Sequence, residues 1–576
     1  MNVWQVSFKI NASPGATGDA SGTKTGEGEI GLSGLEARDL CEANVSAGIA
    51  IGDPASDHHH LDVRARARSE ELHAVLLHAA AGDGRRVHHE GVTSVGASPD
   101  DVAFLYEAVA HCAERLDLVA RHEEIANMFA HGSRPSLPKW PNITTIFTLD
   151  MSKKSIYLDY AATTPVDPVV LEAMLPYLEE YTANDLSLIA GWGNPGSLHS
   201  FGQRASTSVF SARQVIAKEL NCHYSEVVFT GSATEANNLA IRGALRTYLL
   251  RSAESQKGKV RIIVSAIEHE SILATVKDLE GEGVEVVIIP VDKNGLVDFK
   301  KLKGAINERT ALVSVMYANN EIGTIQPIAE ISKMIRKIKN VKSKESSNHS
   351  PCASYPLLHC DAVQAFQYIE CDVEKLGIDL LTLSAHKIYG PKGIGALYVR
   401  KDFISKSSTI NLPLSTILTG GGQEQGLRSG TENVPAIVGF AKAVELVAST
   451  RAKEAVRIVK LRDQAWQGIK KIFPKAQLNG ISGVRLPKLR LPNNLNFSVP
   501  GISGEQLLVA LDLRGVAISS GSACTARSIS PSHVLLAMDS TKERAKNSLR
   551  ITLGRQTSKT EINTFLKILR GERGRG

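Results

Sequence analysis

From residue 151 onward the chain alternates two kinds of text. Short apolar runs rich in Val, Ile and Leu are separated by longer segments whose apolar residues recur at helical spacing. "EVVFT" precedes "EANNLAIRGALRTYLL"; "RIIVSAIEHESILATVKDL", "VEVVIIPV", "ALVSVMYANNE", "PLLHCDAVQAF" and "IDLLTLSAHKIYG" follow in order. Strand-length apolar runs divided by helices predict an α/β fold with a mostly parallel sheet covered by helices on both faces. Ligands bind such sheets at the carboxyl ends of the strands. Polar clusters stand there, directly after the apolar runs. "MSKKSIYLDYAATTPVDPVVLEAMLPYL" adds a short strand, a turn and a helix begun at Pro168.

Before residue 151 the composition is different. Residues 1–150 hold nine Arg and three Lys, whereas the remainder holds 23 Arg and 31 Lys. Ten of the 17 His also lie in the first 150 residues. This extension is predicted to be partly disordered, with small helical patches such as "SEELHAVLLHAA". Its "DHHHLD" reads as a solvated loop, because three adjacent His cannot share one helix face and no second ligand cluster stands at a metal-like spacing. It lacks the pattern of a signal or transit peptide.

The seven cysteines are sparse, unpaired in spacing and without a CxxC, which excludes a disulfide framework and a zinc or redox motif. They fit a reducing compartment, the cytoplasm, with a mitochondrial location also open. A net charge of +6 spread along 576 residues gives no reason to expect a nucleic-acid or membrane partner, and no apolar run is long enough for a transmembrane helix.

Four polar clusters then specify one chemistry. In "LLTLSAHKIYGPKGIGALYV" a strand ends at Ser384, followed by His386 and Lys387, a lysine placed for Schiff-base chemistry or for a plain surface role. Asp361 and Gln364 follow another strand; a buried carboxylate there could hold a protonated pyridine nitrogen, or cap a helix. "VVFTGSATEANN" sets Ala233 and Thr234 at a helix start that could bind an anion, or form an ordinary capping box. His269, in "AIEHES", is placed to stack on an aromatic ring or to serve structurally. Lysine, carboxylate, phosphate cup and stacking ring together are the requirements of pyridoxal phosphate. No G-x-G-x-x-G and no P-loop offers a rival cofactor.

With "YLDYAATTPVDP", "GSATEANNLAI", "EHESI", "NNEIGTIQPI", "HCDAVQ", "SAHKIYGPKGIGALYV", "GGGQEQGLRSGTEN" and "SSGSACT" in this order, residues 151–576 resemble a cysteine desulfurase of the NifS/IscS type, of the class V aminotransferase family. The resemblance implies the fold type I of pyridoxal-phosphate transferases. Residues 167–451 would form a large domain around a mostly parallel seven-stranded sheet. Residues 452–576, with 151–166, would form a smaller α+β domain.

It also implies roles. Lys387 would be the Schiff-base lysine, Asp361 the pyridinium partner, Gln364 the donor to the ring hydroxyl and His269 the stacking ring. Ala233, Thr234, Ser384 and His386 would form the phosphate cup, with Thr431 reaching in from the other subunit of a homodimer. Asn320 would lie near the cofactor ring and the substrate, and Arg550 would grip the substrate carboxylate. Cys524 would be the catalytic thiol, carrying sulfur from L-cysteine as a persulfide and able to ligate a transferred cluster; no intrinsic metal is implied. The small neighbours Gly521, Ser522 and Ala523 suit a mobile carrier. The implied sulfur acceptors are an iron–sulfur scaffold or a tRNA-thiolation protein. A selenocysteine lyase, another class V aminotransferase or a non-catalytic sulfur-assembly subunit are the alternatives. Two stretches depart from the family pattern, one before "GWGNPG" and one at "KNVKSKESSNHSPCASY", the second expected to be a solvated polar loop.

Overall fold

The computed structural model describes residues 155–178, 191–252, 259–345, 355–400, 414–481, 489–520 and 531–572. The expectations for residues 1–150, for "DHHHLD" and for Cys524 and its glycine and serine neighbours lie outside these residues.

Strand β1 (Ile156–Tyr157) opens the described chain. Helix α1 (Pro168–Met174) starts where Pro168 predicts, with the Asp167 carboxylate accepting from the Val169 N–H. Next come α2 (Ser200–Leu220), β2 (Val227–Thr230) and α3 (Ala233–Ser252), then β3 (Arg261–Ser265), α4 (Glu270–Gly281) and β4 (Glu285–Ile289). Helix α5 (Phe299–Ala305), β5 (Thr310–Ser314), α6 (Ile328–Glu345), β6 (Leu357–Asp361), α7 (Val373–Leu376), β7 (Leu380–Ser384) and β8 (Gly395–Val399) complete the larger unit. One expectation changes here: "VKSKE", read as the start of a polar loop, continues α6 to Glu345. Lys and Glu are good helix formers, so polarity did not mark an end.

The seven strands lie in the order β2-β8-β7-β6-β5-β3-β4. Only β8 runs against its neighbours, and the other pairings are parallel. The predicted mostly parallel sheet is therefore present. Alternate residues of each strand enter different cores. Val227, Ile263, Val313 and Leu381 join one hydrophobic cluster, while Val228, Ile262, Leu312 and Leu380 join another. Burial on both faces is why these strands read as unbroken apolar runs. The carboxyl ends of β2, β3, β5, β6 and β7 come out on one edge and carry the polar clusters.

Helix α8 (Val434–Ile472) is 39 residues long, about 58 Å at the usual rise. Val434 to Val447 belong to the large core; Ile458 to Ile472 belong to a second one. That second core sits under a four-stranded antiparallel sheet. Its strands are β9 (Gln477–Leu478), β10 (Asn494–Ser498), β12 (Ser519–Ser520) and β13 (Ser548–Thr552). Helix α9 (Gly504–Asp512), β11 (Val516–Ala517), α10 (His533–Ala537), α11 (Lys542–Lys546) and α12 (Lys559–Glu572) fill out this α+β unit. β1 pairs with β11, so the N-terminal strand belongs to the C-terminal unit.

Candidate active site

Strand β7 delivers Ser384 to the edge, and a single 3-10 turn, Ala385–Lys387, follows. The Lys387 Nζ donates to the carbonyls of Ala161 (2.7 Å) and Ala162 (2.6 Å). Gln364 Nε2 donates to the same Ala161 carbonyl at 3.0 Å. His386 meets the next residue of that stretch, its Nδ1 lying 3.1 Å from Thr163 Oγ1. Burial, then the charges of Lys387 and Lys392, bring the His386 pKa down to about 4, so its ring is neutral at neutral pH. "AATT" (161–164) is thus the shelf on which three sequence-predicted residues gather.

A second chain of contacts starts at the end of β6. Asp361 is 5% exposed. Its Oδ1 accepts from the Val363 N–H at 3.0 Å, and the backbone after β6 is a turn, not the helix its N-cap alternative required. Its Oδ2 accepts from Asn237 Nδ2 at 3.0 Å. Asn237 Nδ2 also donates to Ser271 Oγ (2.9 Å), which lies 2.9 Å from His269 Nδ1. His269 caps α4, its Nδ1 accepting from the Ser271 N–H at 3.1 Å. A backbone N–H can only donate, so a neutral His269 ring carries its proton on Nε2. Behind Asp361, burial lowers the His359 pKa to about 4, leaving a neutral spacer between Ser314 Oγ and Thr382 Oγ1.

The turn at the start of α3 is capped by Ser232 rather than Thr234. Ser232 Oγ accepts from the Glu235 N–H (3.1 Å), and Glu235 Oε2 accepts from the Gly231 N–H (2.8 Å). Thr234 is left exposed beside Ala233. A Cβ on Gly395 would lie 2.7 Å from the Ser232 carbonyl carbon, so only glycine lets β8 pass this turn. Arg428 Nε donates to Glu235 Oε1 at 2.8 Å, which ties the Gly-rich segment bearing Thr431 to the same turn. Thr431 is exposed on this chain.

From the smaller unit, β13 brings Arg550, 1% exposed. Its Nη2 donates to Asp159 Oδ1 (2.7 Å) and its Nη1 to the Asn320 carbonyl (3.1 Å). Its Nε is buried with no partner among the described residues. Asn320 therefore meets Arg550 through its backbone. Ser519 lies directly across from Arg550 in the β12–β13 ladder. After the segment that holds Cys524, Ser532 Oγ donates to Glu321 Oε2, and His533 Nε2 lies 3.1 Å from the Glu268 carbonyl. The described residues on either side of 521–530 therefore include Ser519, paired with Arg550, and His533, which meets the Glu268 carbonyl next to His269.

These residues fit pyridoxal phosphate. Asp361 is a buried carboxylate with no ion-pair partner among the described residues, which suits a protonated ring nitrogen. The start of a 20-residue helix presents amide donors for a phosphate. The orphaned Arg550 Nε suits a carboxylate ligand. Asn237, Glu321, Asp159 and the Ala161 and Ala162 carbonyls were not singled out from sequence, although "YLDYAATTP" and "NNEIG" marked their neighbourhoods.

The aminotransferase class-V family model matches residues 156–565. The chain is 44% identical over 415 residues to "Cysteine desulfurase IscS 1" of Archaeoglobus fulgidus, covering 72% of this chain and 96% of that protein. Among solved structures, a "NIFS-like protein" superposes with a TM-score of 0.61 at 34% identity, covering 73% of this chain and all of the other. "SspA in complex with cysteine" superposes at 0.54 with 33% identity, covering 69% of this chain and 99% of that one. The chain belongs to the aminotransferase class-V family, of the pyridoxal-phosphate fold type I, and is homologous to the IscS/NifS-like cysteine desulfurases.

Proposed function

We propose that the chain is a cysteine desulfurase, converting L-cysteine to L-alanine and placing the released sulfur on Cys524 as a persulfide. One observation carries this reading above a transaminase, which needs no thiol. The described residues that flank the stretch holding Cys524 include Ser519, paired with Arg550, and His533, which meets the carbonyl preceding His269. A relative whose structure holds cysteine supports the same substrate class.

Bound here, pyridoxal phosphate supplies an electron sink for charge developing at the substrate Cα. Lys387, Asp361, Gln364, His269 and the Ala233–Thr234 turn would hold it, with Ser384 and His386 at the phosphate and Asn320 at the ring. Arg550 binds the substrate carboxylate through its fork. The neutral amine of Lys387 takes the Cα proton. His269, with its Nε2 proton, serves as a proton relay. The Cys524 thiolate attacks the substrate sulfur: the new S–S bond forms as the substrate Cβ–S bond breaks. The electron pair stays with the carbon, which takes a proton on the way to alanine. L-cysteine plus enzyme thiol thus gives L-alanine plus enzyme persulfide, with all atoms accounted for.

We place the division between the two domains within α8, near residues 451 and 452, where its buried side chains change cores. Thr431, exposed on this chain, completes the phosphate cup of a second copy in a homodimer. The acceptor is a protein of iron–sulfur assembly or tRNA thiolation. Purified protein should absorb as a lysine-bound pyridoxal and release alanine from L-cysteine. Cys524→Ser should keep that absorbance and release no sulfide; undiminished sulfide release would remove Cys524 from the reaction. Alanine release from selenocysteine alone would mark a selenocysteine lyase.

A further inference from the structure

Glu321 lies outside the machinery described so far, yet four parts of the site converge on it. It is 2% exposed. It sits in a turn shaped by Asn319, whose Oδ1 accepts from the N–H groups of both Glu321 and Ile322 at 2.9 Å. Its carbonyl accepts from Asn494 Nδ2 (2.9 Å) and Asn496 Nδ2 (3.1 Å) on β10. Asn496 faces Arg550 in the β10–β13 ladder. Two residues on, Gly323 has φ +72°, and a Cβ there would stand 2.8 Å from the Asn494 side chain. The chain therefore uses the residue type that lets this turn press against β10.

The Glu321 side chain points to Ser532. Ser532 Oγ accepts from the Leu535 N–H at 3.1 Å as the cap of α10. A hydroxyl has one proton. Alongside the N–H it accepts, Ser532 Oγ donates that proton to Glu321 Oε2 when the carboxyl is ionised. The turn between β5 and α6 thus holds Ser532, among the first described residues after the stretch that includes Cys524. The charged and titratable groups facing Glu321 are Arg550, Glu270 and His269. Glu270 in turn lies 3.5 Å from His533 Nδ1, the residue after Ser532. Burial pushes the Glu321 carboxyl up to about 7 against the pull of Ser532 and Arg550, so both of its protonation states are accessible at neutral pH.

We propose that Glu321 is a positioning residue for sulfur transfer: through Ser532 it fixes the C-terminal root of the Cys524 segment to the turn whose preceding carbonyl, that of Asn320, holds Arg550. This rests on the desulfurase reading and adds a residue to it. Glu321 touches neither substrate nor cofactor. It sets how well the thiol is delivered, and therefore acts on kcat more than on cysteine binding.

The test is a double-mutant cycle on the cofactor-loaded protein, with Glu321→Ala, Ser532→Ala and both together. Alanine formation gives kcat and KM, and the cysteine-induced change in cofactor absorbance gives binding separately. Loss of a charge-assisted buried hydrogen bond predicts a kcat lowered roughly 10- to 100-fold in each single variant. The double variant should be no slower than the worse single one, because the two residues act as one unit. Cysteine binding should stay within about threefold. Glu321→Gln and Ser532→Thr, which keep the acceptor and the hydroxyl, should recover most of kcat. Multiplying losses, a change confined to KM, or wild-type kcat in Ser532→Ala would each overturn the proposal. If Glu321→Ala does not fold, Ser532→Ala and Glu321→Gln decide the question in its place. Failure of the desulfurase reading shows elsewhere, as normal sulfide release by Cys524→Ser.

Discussion

Asn237 offers a demanding test of the site, because one amide group joins the residue assigned to the ring nitrogen to the residue assigned to its face. It is 1% exposed, and its Nδ2 donates to Asp361 Oδ2 and to Ser271 Oγ. Truncation to alanine removes two hydrogen bonds, each contributing about 1 kcal/mol net, and strands a buried carboxylate oxygen that costs about 1–3 kcal/mol. The expected loss is about 3–5 kcal/mol, read by urea unfolding of the cofactor-loaded protein. Among the described residues the Asp361 carboxylate keeps only its Val363 bond, and His269 loses the strut behind Ser271. Cofactor should therefore dissociate faster from Asn237→Ala under dialysis. Asn237→Asp gives a sharper contrast. Two carboxyls about 3 Å apart share one proton, so one pKa of the pair is raised and this variant's deficit should grow as pH rises. An Asn237→Ala protein within 1 kcal/mol of wild type, holding cofactor equally well, would refute the coupling.

Three further outcomes follow from the same geometry. Burial pushes the Glu268 carboxyl from 4.5 up to about 8, so between those values the folded protein keeps a proton the unfolded chain has lost. Its contribution is complete below pH 4.5 and is lost as pH rises through 8, at ~1.4 kcal/mol per unit at most; Glu268→Gln should remove that slope from a wild-type-minus-variant unfolding profile. Arg213 grips the buried Glu424 with two 2.6 Å bonds. Arg213→Met should cost about 3–5 kcal/mol in urea unfolding by leaving that carboxylate unpaired. Arg550→Lys keeps the charge but not the fork, and should lower kcat/KM for L-cysteine roughly 10- to 100-fold through KM, checked by alanine formation.

The large sheet was legible in the sequence because β5, β6 and β7 are buried on both faces and so appear as apolar runs. The small sheet was not legible from hydropathy. β10, "NLNFS", and β13, "SLRIT", bury Asn494, Asn496 and Arg550, and β1, β9, β11 and β12 are two residues each, too short for any period to show. Lys387 and Asp361 could be found because each sits at the end of an apolar run. Asn237 could not, since its partner Asp361 is 124 residues away, and Asp159 meets Arg550 across 391 residues. Such contacts depend on which strand ends share an edge, and local text does not carry that. Glu321 stood only inside the motif "NNEIGTIQPI"; its partners come from β10 and the cap of α10, far along the chain. Thr234 shows the opposite error, a plausible cap displaced by its neighbour Ser232.

The central claim is that sulfur leaves L-cysteine for the thiol of Cys524. The most direct measurement is mass spectrometry of the peptide containing Cys524 after one turnover with L-cysteine labelled by a heavy sulfur isotope. The account predicts one heavy sulfur atom on Cys524 and an equal amount of alanine. Alanine with no label on that peptide, or label on another cysteine alone, would contradict it.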